Sequence, residues 1–188
     1  MGELKTLYLA FVLIIGVQRL IELYISNKNN KALLRQGGIE FGQGHFIYMK
    51  LIHILWLCSC FLGGVYYSGP DLVPYYAFTL FFMGQILRFL AMLGLANRWT
   101  ANIIILPGFT PVRKGIYKFI RHPNYLGVVL EIAALPLIWG LYEVAIVFSI
   151  LNAFILKVRI KAEEKALNSY NKYTENMHTK RRFLPGLF

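Results

Sequence analysis

The stretch LVPYYAFTLFFMGQILRFLAMLGL, Leu72 to Leu95, decides the class of fold. It exceeds the roughly 20 apolar residues that a helix needs to cross a bilayer core, and Arg88 is its one charged side chain. Two comparable runs precede it, from about Leu4 to Ile25 and from about Phe46 to Tyr67. Two shorter ones follow, Tyr125 to Trp139 and Tyr142 to Lys157, separated only by Gly140 and its neighbours. So short a link makes an antiparallel helical hairpin, and Pro136 is expected to kink the fourth run near its end. The expected fold is all-α: an integral membrane bundle of about five transmembrane helices, the last two as a tight hairpin, followed by a cytoplasmic helical tail. With no internal repeat or low-complexity linker, residues 1–188 read as one domain.

Composition agrees. Of 188 residues, 57% are hydrophobic and 15% charged, with a mean hydropathy of +0.51, whereas a soluble domain carries about a quarter charged residues. That excludes an ordinary soluble globule, a disordered tail and a collagen-like fibre. The 20 basic residues outnumber 9 acidic ones. They flank the apolar runs, as in cytoplasmic loops, and do not concentrate as a nucleic-acid groove would require. Lys28, Lys31, Arg35 and Lys50 follow the first run; Arg98, Arg113, Lys114, Lys118 and Arg121 follow the third; Lys161, Lys165, Lys172, Lys180, Arg181 and Arg182 follow the fifth. The opposite side has Glu3, Lys5, Asp71 and Glu143. The positive-inside rule then puts the N-terminus outside and the C-terminus in the cytoplasm. The first run lacks a basic leader and a small-residue cleavage site, so an anchor is expected there and not a removed signal. Cys58 and Cys60 point in divergent directions on a helix and read as buried free thiols.

Charges inside the apolar runs need partners. Arg19 and Glu22 are three apart on one helix face and can pair. Arg88 would cost about 2.5–3.5 kcal/mol facing lipid, so it is expected to face protein, toward Glu131 in the fourth run. The glycine-rich loop from Gly37 to His45 lacks the Lys-Ser/Thr ending of a phosphate-binding loop. His45 and His53 have no acidic or thiol partners at ligand spacing, so no metal is expected.

The densest polar information runs from Gly115 to Glu164. Pro123 forces His122 out of helical geometry and opens the next helix. His122 is thereby held at the membrane surface at a helix N-terminus, where anionic groups are favoured. Tyr117 and Tyr125 offer ring faces to a cation. After the fifth run, Arg159 and Glu163 share a helix face, and the hairpin returns them to the same membrane face as His122. An ordinary Pro-initiated helix with a solvated ion pair remains the plain alternative. Two polar clusters meeting at one face are also how a ligand pocket is built.

The pattern Gly115-x-Tyr117-x-x-x-Arg121-His122-Pro123-x-Tyr125-x-Gly127 resembles the signature of the isoprenylcysteine carboxyl methyltransferase family. Arg159-Ile160-x-x-Glu163-Glu164, Tyr170, Tyr173 and Arg182-Phe183-Leu184-Pro185-Gly186 continue that resemblance, in order, over roughly the C-terminal half. Membrane sterol reductases carry a similar His-Pro-Asn-Tyr element, and phospholipid methyltransferases share the wider architecture; the paired glutamates favour the methyltransferase. The loop Gly38-x-Glu40-x-Gly42-x-Gly44-His45 resembles bacterial members that methylate long-chain alkylpyrones.

The resemblance implies S-adenosylmethionine as cofactor. It implies that Lys114, Gly115, Tyr117, His122, Pro123, Tyr125, Leu126, Gly127 and Glu164 line the cofactor pocket, and that Arg159 and Glu163 are catalytic. Residues 1–96 would then supply N-terminal transmembrane helices, and residues 97–188 the cofactor-binding and catalytic part. The implied acceptor is a lipophilic small molecule or a lipidated group, either an alkylpyrone-like enol or a prenylcysteine-like carboxylate. It would be methylated at the inner face of a bacterial cytoplasmic membrane among membrane lipids, with no nucleic acid or metal involved. Two other readings stand beside it: an NADPH-dependent sterol or enone reductase, and a non-catalytic lipid-binding membrane protein.

Overall fold

In lipid, a backbone must satisfy its own N–H and C=O groups, so apolar runs of this length become helices. The computed structural model describes residues 2–70, 72, 74–171 and 182–183. Its helices are α1 (Gly2–Arg35), α2 (Gln43–Tyr66), α3 (Tyr75–Leu95), α4 (Pro123–Ile138) and α5 (Tyr142–Asn171). α1, α2 and α3 with its 3-10 extension to Arg98 are each long and apolar enough to cross a membrane. Their outer faces expose Leu13, Ile14, Val17, Leu55, Phe82 and Phe89. Each such side chain left in water forgoes about 1.5–3 kcal/mol of burial; in a bilayer it is solvated by acyl chains. The protein is an all-helical integral membrane bundle.

α4 inverts this pattern. It has 16 residues, short of the roughly 20 for an independent span, and Val128, Ile132, Ala134, Leu135 and Ile138 are buried. α3 covers one side of it and α5 another. α3 and α4 touch backbone to backbone: a Cβ on Gly127 would lie 2.7 Å from Gly84 O and 2.5 Å from Arg88 Cγ, and one on Gly84 would lie 2.9 Å from Gly127 O. Small residues at a membrane helix crossing allow this approach. Pro136 sits in the last turn of α4. Its carbonyl accepts the N–H groups of Trp139 and Leu141 at 3.1 and 3.0 Å, and Gly140, at φ 73°, turns the chain into α5. The expected hairpin is present. α5 runs past the expected Lys157, in register as far as Asn171. Among the described residues three helices meet the length and composition of a span, and the α4–α5 hairpin packs against α2 and α3.

The intramembrane charges meet at one place. Arg88 on α3 pairs with Glu22 on α1, and its Nε lies 3.4 Å from Glu131 Oε1 on α4. Arg19 Nη1 lies 2.6 Å from Glu22 Oε2, and its Nη2 pairs with Glu131. Both expected pairings exist, but as parts of one cluster of two cations and two anions. Gln18 Nε2 adds hydrogen bonds to Glu22 Oε1 at 3.0 Å and to Gln85 Oε1 at 2.8 Å.

Three expectations are corrected or fall outside view. The glycine-rich loop contains β1 (Ile39–Phe41), which pairs antiparallel with β2 (Ile103–Ile105), Ile39 opposite Ile105. This small sheet was not expected. Gly38 permits it, since a Cβ there would lie 2.7 Å from Leu33 O. Both cysteines are free, but only Cys60 is buried; Cys58 is exposed on the outer face, because residues two apart on a helix diverge. Beyond Asn171 the expected helical tail, with Tyr173 and Leu184 to Gly186, lies outside the described residues except for Arg182 and Phe183.

Candidate active site

Pro123 opens α4 as its first residue, and His122 before it has φ −124° and ψ 60°, outside helical geometry. The buried imidazole stacks on the Tyr125 ring at 5.4 Å between centroids. His122 Nε2 donates to Glu164 Oε1 at 3.1 Å. The same carboxylate accepts Arg182 Nε at 2.9 Å and Arg182 Nη2 at 2.5 Å, with Arg121 Nη1 at 3.7 Å. The His122 N–H donates to Arg182 O at 3.1 Å. Residue 182 is thus clasped to the start of α4, and Phe183 packs with Tyr125, Leu156 and Ile160.

This clasp titrates. Burial pushes the Glu164 carboxyl up, and hydrogen bonds from His122 and Arg182 outweigh it, holding the group at about 2 instead of 4.5. A lowered folded value means a stabilising contribution that is complete above the unfolded value and is lost as pH falls through the folded one. The thermal midpoint of wild type should therefore exceed that of Glu164→Gln by a constant margin above pH 4.5, narrowing as pH falls toward 2. A margin independent of pH would show that the carboxylate charge contributes nothing.

On α5, Arg159 and Glu163 share a face but do not pair with each other among the described residues. Glu163 Oε2 accepts Tyr125 OH at 2.7 Å. Arg159 is 3% exposed, and its Nη2 donates to Ala101 O at 2.7 Å. Its Nε and Nη1 are buried without a hydrogen-bond partner among the described residues. Buried donors are normally paired, by protein or by something bound.

A cavity of about 410 Å³ opens at this point, lined by Tyr117, His122, Tyr125, Arg159 and Glu163. That volume suits a small-molecule site. Of the residues expected to bind the cofactor or act catalytically, these five share its wall. Lys114 and Gly115 lie exposed at the 3-10 turn Gly115–Lys118. Pro123, Leu126 and Glu164 are not among its lining residues, Glu164 contacts the wall residue His122, and Gly127 lies in the α3–α4 crossing. Sequence reading missed the α2 contribution. Lys50 lines the cavity, its Nζ lies 4.2 Å from the Phe46 ring centroid, and Arg159 Cζ lies 5.9 Å from the same ring. The spacing of Phe46 and Lys50, one helical turn, was visible; their nearness to residue 159 is purely tertiary.

The isoprenylcysteine carboxyl methyltransferase family profile matches residues 77–169, which run from α3 almost to the end of α5 and include this site. The chain is also similar to an uncharacterized Bacillus subtilis (strain 168) protein, YpbQ, with 36% identity over 161 residues, covering 85% of this chain and 96% of that protein. The chain belongs to the isoprenylcysteine carboxyl methyltransferase family. A Haemophilus influenzae (strain ATCC 51907 / DSM 11121 / KW20 / Rd) uncharacterized protein is similar as well, at 27% identity over 166 residues, covering 85% of this chain and 94% of that one. Within the family's matched region lie His122, Tyr125, Arg159 and Glu163, while the Arg182 clasp falls beyond it. Membership makes this a membrane protein of a methyltransferase family.

Proposed function

We propose that the protein is an S-adenosylmethionine-dependent O-methyltransferase. Its acceptor is a lipophilic anion, an alkylpyrone-like enolate or a prenylcysteine-like carboxylate, at the inner face of a bacterial cytoplasmic membrane. The loop charges support an N-terminus outside and a C-terminus in the cytoplasm. The observation that carries the reading is Arg159: a buried guanidinium with two nitrogens unpartnered among the described residues, on a cavity wall shared with His122, Tyr125 and Glu163. An unpaired buried donor costs about 1–3 kcal/mol, so the site favours a ligand that brings oxygen.

Bound S-adenosylmethionine supplies a methyl group on an electrophilic sulfonium. The donor set fits such a group: stacked His122 and Tyr125 rings offer π faces, Glu163 offers a carboxylate, and the N-terminus of α4 favours a carboxylate partner. Tyr117, His122 and Tyr125 would hold it directly. Lys114, Gly115, Pro123, Leu126, Gly127 and Glu164 would shape the surrounding turn and helix start. Arg159 orients the acceptor oxygen, and Tyr125 OH keeps Glu163 in place. An anionic acceptor needs no base; a neutral hydroxyl would give its proton to Glu163. Positioning of this kind supplies up to ~7–11 kcal/mol of barrier reduction. The lipid-facing sides of α1, α2 and α3 let an acyl chain approach from the bilayer.

The test is radiolabelled methyl transfer from S-adenosylmethionine, with alkylpyrone and prenylcysteine acceptors offered in parallel. Label in a lipid-extractable ester or ether is expected. Consumption of NADPH on an enone, with no label in either acceptor, would replace this reading with a reductase. His122→Ala should weaken S-adenosylhomocysteine affinity up to about tenfold, since it removes one ring of a stacked pair worth ~0.5–1.5 kcal/mol. Calorimetric affinity equal to wild type would remove His122 from the cofactor site.

A further inference from the structure

The cavity does not stop at Arg159 and Glu163. Its wall continues past Val128 to Arg19, Glu22, Arg88 and His53. Glu131, which pairs with Arg19 and Arg88, follows Tyr125 on α4 by less than two turns, about 9 Å along the axis at ~1.5 Å per residue. The chamber is therefore polar at both ends and apolar between. A plain hydrocarbon tail reaching the far end would shut water away from charged groups and give them nothing in return.

The far end holds unmatched groups of both kinds. The donors Arg19 Nε, Arg88 Nε and Gln85 Nε2 and the acceptor Glu131 Oε1, 3.4 Å from Arg88 Nε, are buried without a hydrogen-bond partner among the described residues. His53 supplies the complementary capacity. Its Nδ1 lies 2.8 Å from Met49 O; a carbonyl only accepts, so Nδ1 carries the hydrogen and Nε2 of the neutral ring is left with a lone pair. Two arginines balance two glutamates, so the cluster is neutral and does not call for a further anion. A hydroxyl both accepts from a guanidinium and donates to an imidazole, which matches this inventory.

We propose that the Arg19–Glu22–Arg88–Glu131 cluster with His53 forms a second subsite, which binds a neutral oxygen function carried partway along the acceptor's chain. The acceptor is then an oxygenated long-chain anion and not a plain alkyl one. This rests on the reading that the anionic oxygen of the acceptor sits against Arg159. Along α4 the step from Tyr125, whose hydroxyl holds Glu163, to Glu131 in the cluster is about 9 Å of helical rise, and on that rise an oxygen near the eighth carbon of an extended chain would reach the cluster.

The full chain in detergent micelles would be titrated with octadecanoate and with its 4-, 8- and 12-hydroxy isomers, in competition with a bound fluorescent fatty acid. The 8-hydroxy isomer is expected to bind about tenfold tighter than octadecanoate, a gain of ~1.4 kcal/mol, with the other isomers showing no gain. His53→Phe should shrink the ratio between the 8-hydroxy and plain acids, and Arg159→Ala should weaken all four together. A flat profile across the four acids, with Arg159→Ala still weakening them, overturns the subsite alone. Binding of none of them, or indifference to Arg159→Ala, overturns the underlying placement of the anion and the subsite with it.

Discussion

Arg159→Ala should lower methyl transfer by about 10²–10³-fold, the usual loss when a positioned donor to a reacting oxygen is removed. The guanidinium is buried, its Nε and Nη1 have no hydrogen-bond partner among the described residues, and its Nη2 is anchored on Ala101 O. That anchor fixes the direction in which the open nitrogens point. Cofactor affinity should stay near wild type, because the stacked His122 and Tyr125 rings are untouched. Arg159→Lys should recover only part of the rate, since an ammonium keeps the charge but loses the planar fork. Transfer assays paired with cofactor calorimetry and a thermal melt separate a chemical role from a loss of fold. Wild-type turnover in Arg159→Ala would take the residue out of the site.

Arg88→Leu should destabilise the protein by about 3–5 kcal/mol, the cost of leaving a buried charge uncompensated. Glu22 and Glu131 would then share Arg19 as their one cation in the middle of the bundle. Combining Arg88→Leu with Glu131→Gln restores neutrality and should recover much of the loss, so the two changes are expected not to add. Unfolding in detergent micelles measures each. If Arg88→Leu unfolds at the wild-type midpoint, the cluster does not hold α1, α3 and α4 together.

Much of this architecture could be read from the chain because lipid leaves few choices. Leu4 to Ile25, Phe46 to Tyr67 and Leu72 to Leu95 each had the length and apolarity of a span, and each is a helix. Gly140 marked the turn between the last two helices and adopts the positive φ that glycine permits. Arg88 needed a partner, and the position of Glu131 in the next apolar run supplied one. What stayed hidden depends on three-dimensional contact. Nothing in Ile39–Phe41 announces that Ile103–Ile105 will lie beside it, since strand pairing between distant three-residue segments leaves no local periodicity. The joining of two ion pairs into one cluster follows from where α1, α3 and α4 converge. For the site, Pro123 fixed His122, and the turn at Gly140 brought Arg159 back to it. Motif position alone suggested a pocket role for Gly127, whereas its missing side chain serves the contact with Gly84.

That contact limits how the chamber can breathe. With main chain against main chain at Gly84 and Gly127, and Arg88 and Glu131 linked across the same crossing, the α3–α4 seam resists sliding or parting, which would forfeit close-range dispersion and an ion pair together. If a long-chain acceptor binds as proposed, its loading and release would fall to the wall where α1 and α2 contribute Gly16, Leu20, Ile54 and Leu57 to the lining. One half of the bundle would then be an anvil, and the other would yield each time the proposed product leaves.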